Sequence, residues 1–146
     1  ATVGGYGDVL DAVARAEPGL GVGLALGHDV GPAALDAWRD HARAAHATVR
    51  TTDVARHSGV VVATGGPVWT VARLVRDFRS PEPAALAVDD GEAALATRDP
   101  GAAAVGERAA AAVGGTVGTT VADTRAYASF DPDDETAFVR AVREAL

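Results

Sequence analysis

Residues 84–97 place the tightest constraint on how this chain can fold. Ala84-Ala85-Leu86-Ala87-Val88 is an unbroken apolar run, Asp89-Asp90-Gly91 is turn chemistry, and Glu92 leads into a second apolar run, Ala93-Ala94-Leu95-Ala96, that ends at Thr97-Arg98. Two such runs joined by Asp-Asp-Gly predict a β-hairpin, because a tight connection needs positive φ angles that glycine and aspartate adopt at low cost.

Strands and helices alternate around this hairpin. Gly59–Ala63 is a β-branched run, and Gly65-Gly66-Pro67 is a turn. Val68–Phe78 has helical periodicity, with Val68, Val71, Ala72, Val75 and Phe78 expected inward. An alanine-rich helix is predicted over Gly101–Val113, and strands near 116–121 and 125–130. Asp133 or Asp134 caps a last helix that turns Phe138, Val139, Val142 and Leu146 inward. Upstream, Asp8–Ala16 reads as a short helix stopped by Glu17-Pro18-Gly19. Gly21–Leu26 is glycine-rich and strand-like. Pro32–Arg50 is the clearest helix, with Leu35, Trp38, Ala42, Ala45 and Val49 near helical spacing and Pro32 in its first turn. The sum is an α/β fold: a mixed β-sheet flanked by helices over residues 55–146, preceded by a helical connector over 1–54.

Composition limits the functions open to the chain. A length of 146 residues fits one domain with an appendage, and 48% hydrophobic residues suffice for a core built mainly of alanine and valine. No apolar run approaches the ~20 residues of a membrane span, and no secretory signal is visible, so a cytoplasmic location without membrane association is expected. Without cysteine there is neither a disulfide framework nor a thiolate site. All 13 basic residues are arginine, and the net charge is −7. Lysine, isoleucine, asparagine and glutamine are absent too, as in a chain from a GC-rich genome. Such acidity keeps a protein soluble and is screened by high salt, which fits a halophilic cytoplasm. It also argues against a generic nucleic-acid binder with a basic face, though not against a groove lined by a few arginines.

Candidate sites are few. Arg98 ends a strand and enters the Arg98-Asp99-Pro100 turn, where a guanidinium fork can reach a cleft and match phosphate oxygens. Gly114-Gly115 lies between a helix and a strand. Two glycines there either offer N–H groups to an anion or simply close the helix. Tyr127, in a strand, can stack on a base or pack in the core. Gly4-Gly5-Tyr6-Gly7 and Gly19-x-Gly21-x-Gly23 lack the Gly-Lys-Ser/Thr of a phosphate loop and read as turns or close packing. His28, His41, His46 and His57 are scattered and have no metal-ligand spacing. Trp38 and Trp69 read as core or interface residues.

These features in this order resemble the DHH-associated domain, the substrate-holding half of DHH-family phosphoesterases. The likeness is to the RecJ-like single-strand exonucleases in their haloarchaeal form, and it covers roughly residues 55–146. Ala96-Thr97-Arg98 keeps the arginine of the family's Ser-x-Arg motif with alanine for the serine. Ala128-Ser129-Phe130 matches the end of the family's glycine motif. The histidine that follows the glycines in that family has no counterpart after Gly114-Gly115. Residues 1–50 look like the connector of RecJ-like proteins, with Gly5-Tyr6 in place of a Gly-Arg pair.

The resemblance implies that Arg98, Gly114 and Gly115 bind substrate, with Tyr127 stacking on a base if it is exposed, and that this stretch carries no catalytic or metal-ligating residue. Asp40-His41-Ala42 is the nearest approach to Asp-His-His and lacks the second histidine. Two manganese or magnesium ions would sit in an N-terminal DHH domain absent from this sequence. The implied partners are a single-stranded DNA or RNA end, that N-terminal domain, and proteins of a replication complex. The resemblance also implies an alternative, a non-catalytic scaffold or nucleic-acid-binding module of a replication or repair complex.

Overall fold

A computed structural model describes residues 3–146. They form two compact units that divide between Ala44 and Ala45.

The first unit holds helices α1 (Val3–Ala16) and α2 (Pro18–Ala25) and the first part of α3 (Gly31–Thr51). The strand-like reading of Gly21–Leu26 is corrected: these residues lie in and just beyond α2. An all-apolar run of this length does not separate strand from buried helix by periodicity. Here Pro18 sits in the first turn, and Gly21 lets α2 lie against α1, where an added Cβ would stand 3.0 Å from Ala14 Cα. The Tyr6 hydroxyl donates to the Leu24 carbonyl at 3.1 Å. Both glycine clusters are therefore helical, and neither is a ligand loop. Leu35, expected on the apolar side of α3, is exposed, and Ala34 is buried instead. Burial lowers the pKa of His41, with nearby Asp11 opposing the shift and Arg15 adding to it.

The second unit is a six-stranded mixed sheet in the order β1-β2-β3-β4-β6-β5. The strands are β1 (Ala55–His57), β2 (Val60–Thr64), β3 (Ala84–Asp89), β4 (Glu92–Thr97), β5 (Thr116–Val121) and β6 (Arg125–Ser129). Only β2 and β3 pair in parallel, through the crossover helix α4 (Val68–Phe78); the other neighbours are antiparallel. Helix α5 (Ala102–Ala112) joins β4 to β5, and α6 (Glu135–Ala145) closes the chain. The expected hairpin is present, with Asp90 at φ 46° and Gly91 at φ 80°, both in the positive region its turn demands. Sequence patterning missed β1, which is only three residues long and carries Arg56 and His57 instead of an apolar alternation.

Both faces of the sheet are packed, which is why β3 and β4 are apolar at consecutive positions. On the first face, α5 and α6 cover Val60, Leu86, Val88, Leu95, Ala126 and Ala128, with Phe138 stacked on Phe130 at a ring separation of 4.3 Å. On the second, α4 packs over β2, β3 and β4, and Ala45 and Val49 from the end of α3 join that core. Phe78 and Leu146 are not inward: they are 77% and 49% exposed. Each lies in or just past the last turn of its helix, where the periodicity runs on beyond the surface it packs against. The cap before α6 also differs. Asp131, not Asp133 or Asp134, accepts from the Asp133 N–H at 3.1 Å and opens a short 3₁₀ turn over Pro132–Asp134.

Charged side chains tie the β1 end together. Glu82 accepts from Arg56 Nε at 2.6 Å and from the Gly59 N–H at 3.1 Å. The hydrogen bond from Arg56, and then that from Gly59, hold the Glu82 carboxyl below its ordinary pKa.

Candidate functional site

On the second face the helix cover from α4 is heaviest over β2, β3 and β4. On this side β6 and β5 carry Arg125, Tyr127, Ser129 and Thr116. Strand alternation is the cause: Ala126 and Ala128 turn to the first face and are buried, so Arg125 and Tyr127 turn to the second. One flank of α4 looks toward β6. Trp69, Arg73 and Arg76 are spaced four and three apart and so share that flank.

Arg98 stands at the end of β4. It leaves β4 after Thr97, its N–H donates to the Pro83 carbonyl at 2.9 Å, and its guanidinium donates to the Ser80 carbonyl at 3.1 Å. The remaining N–H groups of that guanidinium have no partner among the described residues. Arg98 lines a shallow cleft of about 380 Å³ with Arg76, Asp77, Thr97 and Thr124. Arg76 is fixed there by a 2.7 Å ion pair with Asp77 and a 3.0 Å bond to the Thr97 carbonyl. The Thr97 N–H donates to the Thr124 carbonyl at 2.9 Å and ties the cleft floor to the β5–β6 turn. Two guanidiniums thus share one cleft with a single carboxylate. That excess positive charge is suited to an anion with several oxygens.

Arg125 extends the positive surface. Its guanidinium lies 4.8 Å from the centroid of the Trp69 ring, a cation–π contact on a residue that is itself only 5% exposed. Tyr127 follows two positions later on the same face, half-buried against the second core and opposite Ala94.

The glycine pair lies elsewhere. Gly114-Gly115 is at the far end of the sheet, beside Ser129 and Phe130, with the length of β4 between it and Arg98. Gly114 has φ 67°, its N–H donates to the Ala111 carbonyl, and the Gly115 N–H donates to the Ala110 carbonyl at 2.8 Å. This is a helix C-terminal cap that satisfies the last carbonyls of α5. Of the two readings the sequence left open, helix closure accounts for both N–H groups. The fold therefore brings Arg98 and Tyr127 toward one face and leaves the glycine pair apart. Reasoning from sequence missed Arg76, Thr124 and Arg125. The alternation of Arg125 and Tyr127 with two alanines was the signal available.

Among the described residues no three His, Asp or Glu side chains are grouped so as to hold a metal ion. No described helix is long and apolar enough to cross a membrane.

Comparison with known proteins agrees with this architecture. Residues 52–144 match the family described as the C-terminal domain of uncharacterized protein rrnAC1427, and the chain belongs to that family. Uncharacterized protein rrnAC1427 of Haloarcula marismortui is 50% identical over 150 residues, covering 99% of this chain. The chain spans 40% of the length of that relative. Among solved structures, RecJ from Thermus thermophilus, in complex with Mg²⁺, superposes with a TM-score of 0.71 over 94% of this chain and 24% of RecJ, at 15% identity. The fold is that of part of RecJ.

Proposed function

We propose that this chain is the substrate-binding C-terminal part of a RecJ-like DHH phosphoesterase that acts on single-stranded nucleic acid. In this reading residues 55–146 are a DHH-associated domain. A separate N-terminal domain bearing manganese or magnesium hydrolyses the phosphodiester in the cytoplasm, and the present domain holds the strand. The likeness of fold to RecJ supports the reading, and the pairing of Arg98 with Arg76 in one cleft carries it. The Arg98 fork takes a phosphate, the Thr97 and Thr124 backbone sets its position, and Tyr127 stacks on a base. Gly114 and Gly115 contribute through close backbone approach at the far end of the sheet, since their N–H groups are engaged.

The test is fluorescence anisotropy with a labelled short single strand. Arg98→Ala should weaken binding by ~1.5–3 kcal/mol, the range for a charge-assisted hydrogen bond, while stability changes by no more than about 0.5 kcal/mol. Arg143→Ala, exposed on α6, is the matched control and should bind as the parent does. Equal affinities for the two variants would return Arg98 to the ordinary surface arginines and remove the reading.

A second reading, a non-catalytic module of a replication or repair complex, draws on one observation: Thr116 stands where a histidine follows the glycines in RecJ-like proteins. Manganese-dependent cleavage by the longer protein decides between the two. An inactive longer protein that still binds single strands favours the module.

A further inference from the structure

We infer that helix α2 is a docking surface for a further folded domain of the same polypeptide, the N-terminal domain of the reading above, and that Val22 and Leu26 seat against it. The inference rests on the reading of the chain as part of a longer RecJ-like protein.

The first unit is short of core. Among its described residues the buried apolar side chains are Ala12, Val13 and Ala34, two of them single methyl groups. Four of the six exposed large apolar side chains described, Tyr6, Val22, Leu26 and Leu35, belong to this unit, although it ends at Ala44. A body of this size rarely holds together on its own, because folding buries too little of its surface. Apolar surface outside and too little core inside point to a missing layer.

Helix α2 is where that layer is missed most. Residues 18–27 carry no charged or polar side chain, in a chain that is 23% charged. The helix has eight residues, and Gly19, Gly21 and Gly23 each weaken it relative to alanine. So short a helix needs packing to persist. Part of it is packed: Gly21 lies against Ala14 of α1, and Gly23 stands beside Val30. Val22 and Leu26 are four apart, so they share a side, and they are 61% and 70% exposed. Exposed Glu17 precedes the run, and exposed His28 and Asp29 follow it, giving an apolar centre with a polar rim.

Size selects the occupant. Two side chains and the helix between them offer on the order of a few hundred Å², against ~800 Å² per partner in a stable complex of separate proteins. A second copy or a free partner would bind such a patch weakly. A domain tethered in the same chain docks at an effective concentration in the millimolar range and needs far less area. The Haloarcula marismortui relative has the length for one: its match takes in 99% of this chain, the first unit included, and 40% of its own length.

Hydrogen exchange tests the docking. Peptides covering residues 18–27 would be followed by mass spectrometry in the present chain and in the longer polypeptide that carries the N-terminal domain. Exchange should be at least roughly tenfold slower in the longer polypeptide. Leu26→Glu should return it to the rate of the shorter chain. In the shorter chain Leu26→Glu should move the thermal midpoint by less than about 2 °C, since that side chain is already in water. Leu146→Glu, at an exposed apolar position of the second unit, is the control and should leave α2 exchange unchanged in both. Should Leu26→Glu fail to fold in the longer polypeptide, Val22→Thr keeps the side-chain shape and supplies the same comparison. Equal α2 exchange in the two polypeptides would overturn the inference. Dimerisation of the shorter chain in sedimentation velocity, abolished by Leu26→Glu, would overturn it too, by making a second copy the occupant. The nucleic-acid reading is judged separately: slower α2 exchange in the longer polypeptide, with single-strand binding indifferent to Arg98→Ala, keeps the docking and removes the phosphate site.

Discussion

The two faces of the second unit's sheet use the same strands to opposite ends. On the first, α5 extends over β6 to the edge strand β5, and with α6 it buries Ala126, Ala128 and Phe138. On the second, α4 packs chiefly over β2, β3 and β4, and β6 sets Arg125 against the Trp69 ring and Tyr127 against the second core. A five-residue strand thus contributes core on one side and charged and aromatic side chains on the other, by alternation alone. Stability concentrates where both layers are present.

The largest effect expected from this difference is on stability. Phe138→Ala removes a ring that is 2% exposed and stacked on Phe130, and should cost ~3–5 kcal/mol in urea unfolding. The surviving folded fraction should bind a single strand with unchanged affinity. Arg98→Ala is its mirror image, with a large binding loss and little change in folding. If Phe138→Ala weakened binding by the folded fraction, or Arg98→Ala unfolded the unit, the division between faces would be broken.

Smaller effects sharpen the comparison. With a net charge of −7, the unfolding midpoint should rise between low salt and molar potassium chloride; a flat or falling dependence would contradict the role given to charge repulsion. Glu82 offers a local acid test away from both cores. Its pKa is depressed by Arg56 and Gly59, so its contribution is intact above the ordinary value of 4.5 and is lost as pH falls through the lower folded value. Acid unfolding below that value should be shallower in Glu82→Gln, with affinity for single strands at neutral pH unaffected. An unchanged acid transition would remove Glu82 from the account.

Much of this architecture was legible in the residues, and the exceptions have physical causes. The hairpin over 84–97 was plain because its turn tolerates few residues and its strands are apolar throughout. Helices α3, α4, α5 and α6 followed from periodicity. Segment 21–26 was misread because glycines that pack one helix on another also occur in strand-like runs. Phe78 and Leu146 were misplaced because periodicity does not report where the covered surface ends. Arg98 was visible at a strand terminus. Arg76, Thr124 and Arg125 were not, because the cleft and the face beside it are assembled from α4, β4 and β6, which are far apart in sequence.

The central claim is that the Arg98 end of the second face meets the ligand. Amide chemical-shift mapping of the isotopically labelled chain, titrated with a short single strand, tests it most directly. Shifts should cluster at Thr97, Arg98, Thr124, Arg125 and Tyr127 and on the Trp69–Arg76 flank of α4, while the amides of α6 stay still. Shifts spread over α5 and α6 with Arg98 and Arg125 unmoved would contradict it.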